Sequence, residues 1–174
     1  MSIRVVHAHP VPESYSGAIL ASVLVGLAER GEPILHRVGD ATEPGPTADE
    51  LAATDELWFV HPTWWGGQPA VLLDWIQRTL GPWIDEGAPT TSPLANITRL
   101  TAVTTHGSSA LINRLQGEPG RQLYRRVLTP LCATGATFEW LALYKIDFCD
   151  DADRQVFLDH VQARASAGAR VASV

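Results

Sequence analysis

The sequence predicts a three-layer α/β sandwich, with helices on both faces of a five-stranded parallel sheet of order 2-1-3-4-5. Three observations carry that prediction. Five short apolar runs of strand type recur along the chain, and stretches of helical period or turn-rich composition separate them. Right-handed crossovers between parallel strands place the intervening helices on the two faces of the sheet. At 174 residues the chain is long enough for one domain with a substantial core, spanning residues 1–174. Five such units suit the order 2-1-3-4-5 better than a six-stranded arrangement.

Each element has its own warrant. Residues 3–8 (IRVVHA) are a buried-strand run that ends in the Pro-rich stretch His9 to Ser14. Ile19, Leu20, Val23, Leu24 and Leu27 then recur at helical spacing until Gly31, with Ser14 or Ser16 offering the N-cap hydroxyl. A second strand is expected over Pro33–Val38, and residues 40–54, rich in Pro, Gly and acids, read as a loop with a weak helical turn. Asp55–His61 is the third strand. Ala70, Leu73, Ile76 and Leu80 mark the next helix, which Gly81-Pro82 is expected to stop. Residues 81–97 read as a long surface loop, Arg99–Thr105 as the fourth strand, and His106-Gly107-Ser108-Ser109 as its break. A helix over Arg121–Thr134, a strand over Thr137–Ile146 and a helix over Ala152–Ala167 complete the chain.

Composition narrows the function. A hydrophobic fraction of 45% with 18% charged residues is that of an ordinary soluble globular protein. The formal charge of −6, with no basic run, argues against nucleic acid, whose phosphates need concentrated Lys and Arg. The start MSIRVV enters a strand pattern without the features of a secretory signal, and no segment reaches the ~20 apolar residues of a membrane span, so a cytoplasmic location is expected. Cys132 and Cys149 lack CxxC spacing and read as reduced structural thiols.

In such sheets ligands bind beyond the carboxyl ends of the strands at the switch point, here between the first and third strands. The loops at residues 9–16, 61–67 and 104–109 converge there. Ser14-Tyr15-Ser16 opens a helix, where free amides and the positive dipole end favour an anion, although capping alone also accounts for the serines. No GxGxxG or GxxxxGK[ST] motif occurs at that loop. Trp64 and Trp65 can wall a flat ring while Gly66 and Gly67 let backbone approach it, and neighbours on an extended segment point to opposite sides. Thr104, Thr105, His106, Gly107 and Ser108 add hydroxyls, amides and an imidazole.

The stretches HAHPVPESYS, HPTWWGGQPAVLLDWIQRTLGPW and TTHG resemble the flavodoxin-like NAD(P)H:quinone oxidoreductases, or diaphorases, over roughly residues 3–147. The middle motif is the most specific of the three. The resemblance implies a flavodoxin-like fold. It assigns His9, Ser14, Tyr15 and Ser16 to the phosphate side of a flavin. Pro62, Thr63, Trp64, Trp65 and Gly66 go to the ring edge, and Thr104, Thr105, His106 and Gly107 to its pyrimidine end. It implies FMN, with FAD as the alternative, because the chain lacks the long C-terminal extension of larger relatives. It further implies NAD(P)H as co-substrate, a quinone or similar acceptor entering the same site, and a homodimer, with Trp75, Trp83 and the 81–97 loop as candidate covering surface, although Trp75 on a helix face reads more often as core.

The chain departs from the family in two ways. His106-Gly107 stands where members show two glycines, and residues 110–118 contain neither the Tyr nor the His of the usual proton relay. His106 is the candidate catalytic group in its place, since imidazole titrates near neutral pH, with a residue that simply narrows the pocket as the alternative reading. Two rival readings remain. One is a flavin-binding electron carrier or regulatory subunit without turnover. The other is a zinc hydrolase using His7, His9, His61 and His106, opposed by the shortage of carboxylates in the three loops.

Overall fold

The computed structural model describes residues 1–11, 13–39, 42–84 and 91–168. Its strands are β1 (Ile3–His7), β2 (Ile34–Arg37), β3 (Glu56–Pro62), β4 (Arg99–His106) and β5 (Thr137–Tyr144). They form one parallel sheet in the order β2-β1-β3-β4-β5, the arrangement expected from the sequence. The helices are α1 (Tyr15–Ala28), α2 (Ala48–Ala52), α3 (Ala70–Ile84), α4 (Ala110–Leu115), α5 (Pro119–Gln122) and α6 (Asp151–Ser166). No helix among the described residues is long and apolar enough to cross a membrane.

Strand alternation divides the core into two layers. Trp58 and Val60 of β3 pack with Ile19, Val23 and Leu27 of α1 and with Phe157 and Val161 of α6. Leu57 and Phe59 face the other way, onto Leu51 of α2, Leu72, Trp75 and Leu80 of α3, and Tyr124 and Leu128. On the first face α1 and α6 touch at Gly26. A Cβ there would strike the Gln162 carbonyl and stand 2.7 Å from Ala165 Cβ, so only glycine permits that approach.

Several boundaries differ from expectation. α3 runs through Gly81-Pro82 to Ile84. Pro82 removes a single i→i−4 bond, and so near the helix end no further turn depends on it. The 81–97 stretch is not wholly a surface loop, because Leu94 and Ile97 are fully buried against the sheet, and its residues 85–90 lie outside those described. The helical turn expected within the 40–54 loop is α2, opened by a capping box between Thr47 and Glu50, while residues 40 and 41 lie outside the description. In place of one helix over 121–134, the chain forms α4, capped by Ser109, and then α5. α5 continues into a π-helical turn, Leu123–Leu128, and a tight turn, Thr129–Leu131. Pro130 has no N–H to carry an α-helical ladder onward, and Thr129 Oγ1 donates instead to Tyr124 O at 2.8 Å. β4 extends to His106, and β5 ends at Tyr144 rather than at residue 146.

The amino ends of the strands are closed by a buried charge network centred on Glu56, which is 2% exposed. Arg30, just beyond α1, pairs with its carboxylate. Arg99 Nη1 lies 3.3 Å from Glu56 Oε1, and Trp58 Nε1 donates to the same oxygen at 2.7 Å. Arg99 Nη2 continues to Glu139 at 2.9 Å, and Glu139 accepts from Arg164 Nε of α6 at 2.7 Å. Removing Glu56 leaves Arg30 without its carboxylate and Arg99 with only Glu139, both in a site water hardly reaches. Glu56→Ala is therefore expected to lower unfolding stability by about 3–5 kcal/mol in urea titration. A loss below about 1 kcal/mol, the value typical of exposed pairs, would contradict the network.

Candidate functional site

At the carboxyl edge the chain leaves β3 bonded to β4. Thr63 N donates to Thr105 O at 2.9 Å, and the Thr63 and Thr104 hydroxyls lie 2.9 Å apart. The next four residues form a tight hairpin in which Trp64 and Gly67 exchange two backbone hydrogen bonds of 3.0 Å. Its central residues both have positive φ, 53° at Trp65 and 82° at Gly66. Such a turn suits glycine at both positions. A bulky residue there is a backbone outlier, because Cβ crowds the following carbonyl. Neither tryptophan is buried: Trp65 is wholly exposed and Trp64 is 42% exposed.

Buried hydrogen bonds hold both ends of this hairpin. His61, 1% exposed, donates from Nδ1 to Pro62 O at 2.9 Å, and its Nε2 accepts from Tyr124 Oη at 2.7 Å. The partners assign the tautomer, since a carbonyl can only accept. Gln68, 6% exposed, donates its amide to Gly120 O at 2.7 Å. These contacts tie the loop to α5 and the π-helical turn.

Ser14 caps α1, its hydroxyl accepting from Gly17 N at 3.2 Å. The Tyr15 hydroxyl donates to Arg154 O of α6 at 2.8 Å, so at the helix start Tyr15 offers its backbone amide rather than its phenol. Ser16 is buried with Oγ 3.2 Å from His7 Nε2, and His7 Nδ1 accepts from Arg37 at 3.3 Å. His9 accepts from Val11 N at 3.0 Å, and its ring centroid lies 5.8 Å from that of Trp64. Residue 12 lies outside the description.

Two cavities meet at Trp65. One, of about 550 Å³, lies between the β3 and β4 loops and is lined by Thr63, Trp65, Gly66, His106, Ser108 and Asn113, among others. The second, of about 660 Å³, lies on the α3 side, with walls that include Pro10, Glu43, Trp64, Trp65 and Leu73. Both volumes are in the range of small-molecule sites.

His106 is 6% exposed, and neither of its ring nitrogens has a hydrogen-bond partner. It stacks on Tyr144 with centroids 4.8 Å apart and planes 13° from parallel. Burial, which outweighs Asn113 and Glu118, lowers its pKa. The structure thus joins a Tyr to this His across the β4–β5 register, a pairing that inspection of residues 110–118 missed. No local signal could have found it, because the partner lies on another strand.

The zinc reading fails on geometry. Both nitrogens of His7 and of His61 are committed to partners within the chain, and among the described residues no group of three His, Cys, Asp or Glu is placed to hold a metal ion. Trp75 is also not a covering residue for a second copy. It is fully buried, with Nε1 donating to Pro46 O at 3.0 Å.

Residues 1–137 match the family described as flavodoxin-like fold. No curated protein sequence matches the chain. Among solved structures, a protein from Streptococcus mutans shares 22% identity at a TM-score of 0.72, over 96% of this chain and 100% of its own. An NAD(P)H:quinone oxidoreductase from Methanothermobacter marburgensis shares 21% at 0.68, over 95% and 94%. An FMN-dependent NADH-azoreductase from Bacillus anthracis, solved with FMN, shares 11% at 0.68, over 96% and 99%. At these identities the likeness is one of fold.

Two outcomes follow from the geometry. Trp65→Gly, which relieves the left-handed strain, is expected to leave stability unchanged or raise it by up to about 1 kcal/mol, whereas Trp58→Ala, which empties a core site, costs about 3–5 kcal/mol. Equal losses in denaturant titration would contradict the placement of both. Burial, with Arg37 adding for His7, lowers the pKa of His7 and of His61 from 6.5 to about 4. Between those values the unfolded chain takes up protons that the folded chain refuses. Stability is thus complete above about pH 6.5 and falls toward about pH 4, by up to about 1.4 kcal/mol per pH unit for each ring. Urea midpoints measured across that window check this, and a flat profile would contradict it.

Proposed function

The chain belongs to the flavodoxin-like fold family, and on that premise we propose that it is an FMN-dependent NAD(P)H oxidoreductase acting on a quinone or similar small acceptor. The observation that carries the reading is the cavity of about 550 Å³ between the β3 and β4 loops. There an exposed indole in strained backbone stands across from a buried imidazole with two unsatisfied nitrogens. Strain and an unpaired buried polar group are each costly, and their coincidence at the carboxyl rim of the sheet, beside the switch point, fits a planar polar ligand. The names of the quinone oxidoreductase and FMN-dependent azoreductase that share the fold support the same class.

The residues fit the group. Trp64, Trp65 and Gly66 would face the ring edge, with Pro62 and Thr63 holding the hairpin against β4. Thr104 and Thr105 would complete the floor of the ring's pyrimidine end, where His106 and the Gly107 amide would meet its polar atoms. His9, the hydroxyl of Ser14 and the amides of Tyr15 and Ser16 would take the phosphate at the positive end of α1. When bound, the flavin supplies the redox chemistry, taking a hydride from NAD(P)H and passing reducing equivalents to the acceptor.

The protein's part is to bind, orient and exclude water. His106, neutral because burial disfavours its charged form, would hold or accept a proton at a ring nitrogen beside the ring, and stacking on Tyr144 fixes its plane. The exposed Leu111, Ile112 and Leu115 on α4 support a homodimer that covers this edge of the site.

The test is a visible absorption spectrum of the purified protein with added FMN, followed by NADPH. The proposal expects one flavin per chain, bleached by NADPH and recoloured by a quinone, with retention weakened by Trp65→Gly at unchanged stability. Tight FMN binding without acceptor-dependent turnover would favour an electron carrier or regulatory subunit, and failure to hold flavin would overturn the reading.

A further inference from the structure

We propose that the second cavity, of about 660 Å³ on the α3 side of Trp65, is a separate binding site for an uncharged planar ring. The argument begins with its walls. Trp64 and Trp65 present indole surface to it, Pro10, Val71 and Leu73 supply the remaining apolar lining, and Gln68 is the buried amide at its base. Apolar walls with a few fixed polar groups are what a flat, weakly polar molecule needs.

Charge narrows the class further. Among the described residues that line the cavity, Glu43 is the one charged group, and it is loosely paired with Arg37, whose Nε lies 4.0 Å from Oε1 and which is not itself part of the lining. A carboxylate on an otherwise apolar wall disfavours phosphate and sulfonate, and no lining group attracts them, so an uncharged ring is preferred over a dinucleotide or other anion. The hydrogen bonds that hold the hairpin also hold this wall in place, since Gln68 is pinned to Gly120 O and Trp64 to Gly67. The site therefore exists before the ligand arrives, which lowers the entropic cost of binding.

Trp65 lines this cavity and the smaller one beside His106. The exposed indole can therefore be covered on both sides, once by each ligand, and the two rings would be held at the same time. The flavin reading supplies only the identity of the ring on the His106 side; occupancy of the α3 side stands without it.

The test uses duroquinone, an uncharged planar quinone whose ring carbons are all blocked against addition by the thiols of Cys132 and Cys149, in equilibrium dialysis with the full chain. The site predicts, at saturating FMN, one duroquinone per chain in addition to any held against the flavin. It predicts that Ala70→Trp, which fills the cavity from the exposed start of α3, weakens that binding by about tenfold or more. FMN affinity should remain unchanged. Anthraquinone sulfonate should bind poorly to the parent chain and more tightly to Glu43→Gln.

Displacement of duroquinone by FMN, or indifference of its binding to Ala70→Trp, would overturn the second site and leave the flavin reading intact. Duroquinone binding that Ala70→Trp abolishes in a chain holding no FMN would keep the second site and overturn the flavin reading. If Ala70→Trp instead converts a dimer to a monomer in mass measurement, a second copy of the chain occupies the groove and the proposal falls.

Discussion

A backbone held at φ 53° under an indole must be kept there by its surroundings, since Trp65 has no local preference for that conformation. The strain lies in the middle of a four-residue hairpin and is carried by bonds at both ends. Upstream, Thr63 is locked to β4 and His61 to Tyr124. Downstream, Gln68 is locked to Gly120 O. Because these anchors are mostly buried, water does not compete for them, and releasing any one would leave an unpaired polar group. The backbone under the exposed indole is thus fixed by groups several residues away, and the cavities on its two sides share that fixed hairpin.

The two rims of the sheet are built from opposite materials. At the amino rim, Glu56, Arg99, Glu139, Arg30 and Arg164 pair among themselves and close the space between β3, β4, β5 and α6. At the carboxyl rim histidines and hydroxyls predominate, with Arg37 bonded to His7 and Glu43 on the wall of the α3-side cavity. Burial lowers the pKa of His7, His61 and His106 alike. A hydrogen-bonding rim with few charges and with indole walls suits a polar planar ligand better than a metal ion. The contrast follows from parallel topology, because only the carboxyl ends of the strands lead into loops that diverge at the switch point.

What could be read in the chain beforehand was what depends on local period. The strand runs at Ile3, Glu56 and Arg99 and the helical spacing from Ile19 to Leu27 found their places because burial on both faces writes itself into residue order. The three rim loops were legible for the same reason. Other features depended on neighbours remote in sequence. The stacking of His106 on Tyr144 comes from the β4–β5 register, and the diversion of the Tyr15 hydroxyl comes from α6 packing close to α1 at Gly26. Trp75 could be read either as covering surface or as core, and only the packing under Pro46 decides for the core. The left-handed turn at Trp65 ran against the rule that would locate it, since turn chemistry points to glycine and the sequence has tryptophan. Such departures from local preference are expected where function constrains the backbone.

Everything assigned to the site rests on one physical claim, that a flat ring lies against Trp65 and His106 while its phosphate sits at the start of α1. Proton–nitrogen correlation spectra recorded during titration with FMN test it most directly, because ring currents move nearby resonances whether or not turnover occurs. The account predicts large shifts at the indole N–H of Trp65 and the amides of Gly66, Gly107, Tyr15 and Ser16, with the buried indoles of Trp58 and Trp75 unmoved. Rim resonances that stay still under saturating FMN, or shifts confined to another face of the molecule, would contradict it.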